Sequence, residues 1–368
     1  MNILIIGNGF DIAHGLKTSY VEFLQYCEGL KQKGYTKSDF SIDIEAFLND
    51  NIWLKYFLKI VPDLNDKKTW IDFENEIGIV INILEKPSFN IQNKTSRAVN
   101  SIPQSTITIN PASDVGNNKI EKFLSCICKS LNIHPPHKLC IPVNNNQEFI
   151  EYLFEELYKF AQVYEHYCLN EIDACTRQPK YPRILTKNFD AVLSFNYTHT
   201  FETLYGKKNT KYCYIHGEAR PQGKDHKTNL IFGINDNLDE LKDESKNTKF
   251  ECVKFKKYFQ RILYKTGAEY KDWLNDNLTL LDLTVYIVGH SLDKTDKDVL
   301  EEFFKIKNCK IIVCYYPRVD QADQINKIKN VISIIGKDKL IQRVHGADWT
   351  IKFVDQYSDD GVFVKQTT

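Results

Sequence analysis

The N-terminus sets the strongest constraint on the fold. Asn2-Ile3-Leu4-Ile5-Ile6 is a short apolar run, followed by Gly7-Asn8-Gly9-Phe10-Asp11 and then Ile12-Ala13-His14-Gly15. An unbroken apolar run that ends at glycine and precedes a helix-competent segment predicts a buried parallel strand entering a phosphate-binding turn. In such a turn Gly7 would permit a backbone angle that β-branched residues resist. Gly9 would let the main chain approach a ligand closely. The first N–H groups of the following helix would then face an anion. The spacing departs from the dinucleotide fingerprint, because Ile12 stands where a third Gly or Ala belongs. A tight strand-to-helix turn in any α/β protein reads the same way, so the rest of the chain has to decide.

At 368 residues the chain is long for one simple core, which predicts a main domain and a second module. Lys+Arg and Asp+Glu both number 48. With no net charge, nothing global draws the chain to nucleic acid or to an anionic membrane. The ten cysteines contain no C-x-x-C pair, and Cys126-Ile127-Cys128 is one residue too tight for a zinc knuckle. Cys213, Cys309 and Cys314 fall in strand-like runs, where cysteine behaves as a small buried hydrophobe. No metal site is expected. The first strand starts at residue 2 and no apolar run approaches 18 residues, so a cytoplasmic protein with reduced thiols is expected.

Helical spacing predicts helices over residues 19–29, 40–61, from about 70 to 84, over 120–131 and over 147–175, the longest. Between them, residues 86–118 are rich in Asn, Ser, Thr and Pro and read as a long loop, an edge hairpin or a variable insertion. His134-Pro135-Pro136-His137 reads as a turn. From Phe189 strand and helix patterns alternate, with apolar runs at 191–195, 211–215, 230–233, 283–288 and 309–316. Such alternation predicts a mostly parallel sheet with right-handed crossovers. The expected organisation is an α/β core of residues 1–30 and 181–368, carrying a large, mostly helical insertion of residues 31–180.

Each expected strand ends in small or polar residues: Gly7-Asn8-Gly9, Asn196-Tyr197-Thr198, His216-Gly217, Phe232-Gly233 and Gly289-His290-Ser291. Ligands of open α/β sheets bind in the crevice at the strand carboxyl ends, and five such ends describe one site better than five coincidences. Taken singly, Asn196 also reads as a turn residue, His216-Gly217 as a strand terminator, and Ser291 with Asp293 as helix caps.

The order of these ends resembles that of the sirtuins. Gly7-Asn8-Gly9-Phe10-Asp11-Ile12-Ala13-His14-Gly15-Leu16 is similar to the sirtuin glycine loop at all three glycines, and Asn196 and His216 fall at the catalytic asparagine and histidine. Phe232-Gly233 falls where sirtuins carry Phe-Gly-Glu, and Gly289-His290-Ser291-Leu292 where they carry Gly-Thr-Ser-Leu. The finer signature resembles the bacteriophage abortive infection family AbiH: Asn-Gly-Phe-Asp, then His-Gly-Leu-Lys-Thr-Ser-Tyr, Ser-Phe-Asn-Tyr-Thr, His-Gly and Gly-His-Ser-Leu. Sirtuin deacylases carry a four-cysteine zinc module after His-Gly, and residues 217–290 do not supply one. Thr198 replaces the sirtuin aspartate and Asp11 the serine of the glycine loop. These departures argue against acyl-lysine removal.

The resemblance implies a Rossmann-like, sirtuin-like core in an anti-phage effector that hydrolyses the nicotinamide–ribose bond of NAD or a related nucleotide. NAD would be a substrate, and no cofactor would be required. Asn196 and His216 would be catalytic, the first holding a ribose hydroxyl or a water and the second acting as general base. Gly7, Asn8, Gly9, Phe10, Asp11, His14, Thr198, Gly233, Gly289, His290 and Ser291 would line the nucleotide, with the glycine loop on the pyrophosphate and Ser291 near the adenosine ribose. A phage-derived trigger, a partner protein or a homo-oligomer is compatible with such an effector, and no membrane partner is expected. Two other readings stay open: a metal-dependent nuclease using Asp72, Glu74 and Asp11, and a nucleotide sensor without turnover. Asp72 and Glu74 equally suit the electrostatics of a helix start.

Overall fold

The computed structural model describes residues 1–61, 64, 72–85, 89–94, 104–108, 118–127, 137–138, 141, 143–175, 181, 184, 187–221, 227–234, 250–277, 282–345 and 349–363. Among them are strands β1 (Asn2–Ile6), β2 (Asn90–Lys94), β3 (Gln104–Thr108), β4 (His137–Lys138), β5 (Ala191–Ser194), β6 (Lys211–Tyr214), β7 (Thr284–Val288), β8 (Lys310–Tyr315) and β9 (Ile351–Asp355). The chain is mixed α/β and divides into two compact units. The first takes residues 1–18, 167–221 and 264–368, and the second 19–166 and 222–263. Residues 19–30, 227–234 and 250–263, placed with the core on sequence, thus fall in the second unit.

The first unit is built on a six-stranded sheet ordered β6-β5-β1-β7-β8-β9, with every pairing parallel. Side chains alternate faces along a strand, and β1 shows why its sequence has no polar break. Ile3 and Ile5 join Leu193, Val285, Ile287, Val313, Trp273 and Phe303 on one face. Leu4 and Ile6 join Val192, Val288, Cys314, Val354, Phe10 and Phe201 on the other. Each such side chain contributes about 1.5–3 kcal/mol by leaving water. Along the chain the sheet grows outward from β1 through β5 to β6. It then returns to β7, beside β1, and grows the other way to β9. The direction of growth therefore reverses between β1 and β7.

The second unit holds a three-stranded antiparallel sheet, β2-β3-β4, and helices around an aromatic core. Phe73 stacks on Phe57 at 4.2 Å and on Tyr20 at 4.1 Å, and Phe160 meets Phe73 edge-on at 5.2 Å. The helix Tyr20–Lys33 starts at a reciprocal Ser19/Glu22 capping box. The helical pattern of residues 40–61 is two helices, Ile44–Asp50 and Ile52–Ile60, because Asn51 leaves the helical backbone and caps the second through Leu54 N–H. Residues 230–233, expected as a strand, form none. They lead without regular structure to an isolated bridge between Ile234 and Lys256, within this unit. In the first unit the strand β9 and the helix Lys337–Val344 lie beyond the elements read from sequence. The expected turn at 134–136 and the end of the expected helix at 128–131 lie outside the described residues.

The described cysteines are all free thiols. Burial pushes Cys309 and Cys314 up to about 12, which keeps them protonated and unreactive. No helix among the described residues is long and apolar enough to cross a membrane.

Candidate functional site at the strand ends

The carboxyl ends of β1, β5, β6 and β7 converge within the first unit. Gly7 N–H donates to Val288 O at 3.3 Å, Gly9 N–H to Gly289 O at 2.8 Å, and Phe10 N–H to Gly7 O at 2.8 Å. The glycines serve this closeness. A Cβ on Gly7 would lie 2.9 Å from His290, one on Gly9 2.8 Å from Gly289 O, and one on Gly289 2.1 Å from Phe10 N. Gly289 has φ +67°, whereas Gly7, at φ −134° and ψ −174°, is extended backbone that any residue adopts. The expected reason for Gly7 is therefore corrected: it is needed for space against His290, not for its angle. The Cβ side of Gly9 likewise faces the β7 loop. The helix after the turn, Asn8–Ala13, has six residues, and two of its first N–H groups already have backbone acceptors.

Asn196 ties the β5 loop to the glycine turn. Its Nδ2 donates to Gly7 O at 3.1 Å, and its own N–H donates to Ser194 Oγ at 3.1 Å. Thr198, two residues on, donates to Asp11 Oδ2 at 2.5 Å. Asp11 is 1% exposed, and its Oδ1 has no hydrogen-bond partner among the described residues. Burial raises its carboxyl to about 6, against the opposing pull of Thr198, Thr200 and Asn196 and with a further push from Asp173.

His216, buried at the end of β6, places Nε2 3.1 Å from Asp296 Oδ1. Its ring packs against Phe195 at 5.5 Å. His290, buried at the end of β7, faces the other carboxylate oxygen, with Nε2 3.5 Å from Asp296 Oδ2. Leu292 N–H donates to His290 Nδ1 at 2.9 Å. That nitrogen is consequently an acceptor and the ring proton sits on Nε2, toward Asp296. Leu292 makes this bond from φ +61°, a strained conformation for a residue with a side chain. Lys327, buried and held below the ordinary lysine range by that burial, donates to His290 O at 2.7 Å.

A second polar group surrounds His199. Its Nδ1 lies 3.0 Å from Asp173 Oδ2 and its Nε2 3.3 Å from Glu218 Oε2, while its N–H donates to Asp173 Oδ1. Burial disfavours its charge, but the two carboxylates outweigh that and raise it to about 10. The imidazolium therefore stays charged at neutral pH.

The remaining expected residues go elsewhere. Phe10 is inaccessible in the hydrophobic layer, and His14 bonds Phe10 O at 2.8 Å and Tyr205 OH at 2.6 Å within an aromatic cluster. Asn8 accepts from Thr18 through its side chain. Ser291 is exposed and its Oγ accepts from Asp293 N–H. Gly233 belongs to the second unit, where a Cβ would meet Phe255 O at 2.8 Å. There too Asp72 caps the helix Phe73–Leu84 through Asn75 N–H, and Glu74 pairs with the buried Lys257 at 2.7 Å. A recess of roughly 520 Å³ in that unit, lined by Val143, Glu148, Glu151 and Glu155, holds none of the expected site residues. Among the described residues no group of three or more His, Cys, Asp or Glu is placed to hold a metal ion.

Asp296 is the member that sequence reasoning missed. Its one signal was its place in Asp293-Lys294-Thr295-Asp296, just beyond Gly289-His290-Ser291. Asp173, 26 residues before its partner His199, gave no signal at all.

The family model for bacteriophage abortive infection AbiH matches residues 3–316. The chain belongs to this family. The family indicates a role in phage abortive infection. No curated protein and no solved structure matches the chain. The match runs from β1 to the segment after β8, and so takes in every strand end that carries Asn196, His216, His290 and Asp296 in this AbiH chain.

Proposed function

We propose that this AbiH-family protein hydrolyses the nicotinamide–ribose bond of NAD or a related nucleotide on a Rossmann-like, sirtuin-like core, and so stops host metabolism during abortive infection. The observation that carries the reading is the placement of Asn196 and His216 just beyond the carboxyl ends of the adjacent strands β5 and β6, with the His290 turn where the sheet order reverses between β1 and β7. A reversal of this kind is where open α/β sheets bind nucleotides.

The chemistry follows from the residue types. As the bond from ribose C1′ to the pyridinium nitrogen breaks, its electron pair passes to nitrogen and nicotinamide leaves neutral. The sugar becomes oxocarbenium-like, as in glycoside cleavage. A water forms the new C1′–O bond and gives a proton to His216, a base contribution of about 10²–10⁴-fold. The Asn196 amide orients the ribose hydroxyl or the water.

The test is incubation of the protein, purified from phage-infected cells, with NAD, followed by chromatography for free nicotinamide and ADP-ribose. Release in the wild type and its loss in both Asn196→Ala and His216→Ala support hydrolysis. Saturable binding with intact NAD would assign the site to a sensor instead.

A further inference from the structure

The carboxylate between two histidines has a consequence for which nitrogen does the chemistry. An ionised carboxylate only accepts hydrogen bonds. Asp296 Oδ1 lies 3.1 Å from His216 Nε2, and Oδ2 lies 3.5 Å from His290 Nε2. Both neutral rings therefore carry their proton on Nε2, and in His290 this is enforced independently by Leu292 N–H on Nδ1. The acceptor nitrogen of His216 is then Nδ1. Asp296 itself is held in place: it is buried, and it closes the short turn that Asp293 begins by accepting from Thr295 N–H.

The geometry points to Asp296 as a positioning residue that fixes His216 in the Nε2–H tautomer, so that Nδ1 is the nitrogen that takes a proton. The catalytic consequence rests on the hydrolysis proposed above, whereas the tautomer does not. His290 has a separate part. Its Nε2 faces the second oxygen at 3.5 Å, while Lys327 donates to the His290 carbonyl.

Asp296→Asn discriminates between positioning and mere packing. The amide has nearly the shape of the carboxylate but offers one oxygen and one NH2, so it must turn the NH2 toward one of the two rings. The ring that meets the NH2 must become an acceptor at Nε2. His290 cannot do so without giving up the Leu292 N–H bond, so the change falls on His216, whose proton moves to Nδ1. The base is then in the wrong tautomer for proton removal.

The experiment uses the full chain labelled with 15N-histidine and reads the ring nitrogens by long-range proton–nitrogen correlation at a pH where the rings are neutral. Signals are assigned by their loss in His216→Gln and His290→Gln. Wild type should show both rings as Nε2–H, and Asp296→Asn should show His216 alone as Nδ1–H. With NAD as substrate, kcat in Asp296→Asn should fall on the order of 10²–10⁴-fold with KM changed only a few-fold. A wild-type His216 protonated on Nδ1 overturns the inference, even if the variant fails to fold. Unchanged kcat in a folded Asp296→Asn overturns it as well. The expected tautomers without any NAD turnover in the wild type would uphold the positioning role and remove the hydrolysis reading.

Discussion

Replacing Asp11 with Asn should stabilise the first unit at neutral pH. Burial holds this carboxyl at about 6 against an ordinary 3.8, and its ionised form retains an oxygen without a partner among the described residues. The folded state therefore binds the Asp11 proton more tightly than the unfolded chain does. Between pH 3.8 and about 6 the unfolded chain has already lost that proton, so wild-type stability falls as pH rises through the window and levels off above it. At about 1.4 kcal/mol per pH unit, ionised Asp11 costs about 3 kcal/mol above pH 6. Asn cannot ionise, and its amide oxygen can still accept from Thr198. Urea unfolding of wild type and Asp11→Asn, followed by circular dichroism from pH 4 to pH 8, isolates this residue, because titrating groups that do not interact with Asp11 cancel in the difference. The variant should gain up to about 3 kcal/mol at pH 7.5 and almost nothing near pH 4. A difference that does not change with pH would refute the reasoning, as would a variant that is less stable at pH 7.5.

Three further outcomes follow from particular contacts. Gly289→Ala puts a Cβ 2.1 Å from Phe10 N at φ +67°, so it should lose folded protein in thermal melts, at a cost on the order of 3 kcal/mol or more. Gly15→Ala, at φ +79° but with nothing within 4 Å, should cost only about 1–2 kcal/mol. His199→Gln removes a cation whose folded-state value is raised to about 10, so its stability deficit against wild type should be full below pH 6.5 and shrink as pH climbs toward 10. In the second unit, Lys257→Met removes the buried cation that pairs with the half-buried Glu74 and should destabilise the fold in chemical denaturation by about 3 kcal/mol, with part of the loss recovered when Glu74→Leu is added.

How much of this was legible in the sequence depended on the range of the interaction. The β1 run announced burial on both faces because its apolar pattern is local and unbroken, and the parallel sheet followed from strands alternating with helices. The glycines of the turn were legible as glycines but not by purpose: the requirement at Gly7 and Gly9 comes from a loop some 280 residues away. Phe232-Gly233 matched a motif by order along the chain, yet it packs with the second unit, since order alone does not set tertiary contacts. Asn51 broke a helical period by one side-chain cap, which a count of apolar spacing does not register. Asp296 was hidden for the same reason as the glycine contacts, because its meaning lies in two histidines just beyond the ends of separate strands.

The most direct test of the central claim is the NAD content of infected cells, followed over the course of phage infection. Cells carrying the wild-type chain should lose NAD and accumulate nicotinamide before lysis, while cells carrying Asn196→Ala or His216→Ala at equal expression should keep their NAD and lose protection. Protection by the wild type with NAD unchanged throughout infection would contradict the account.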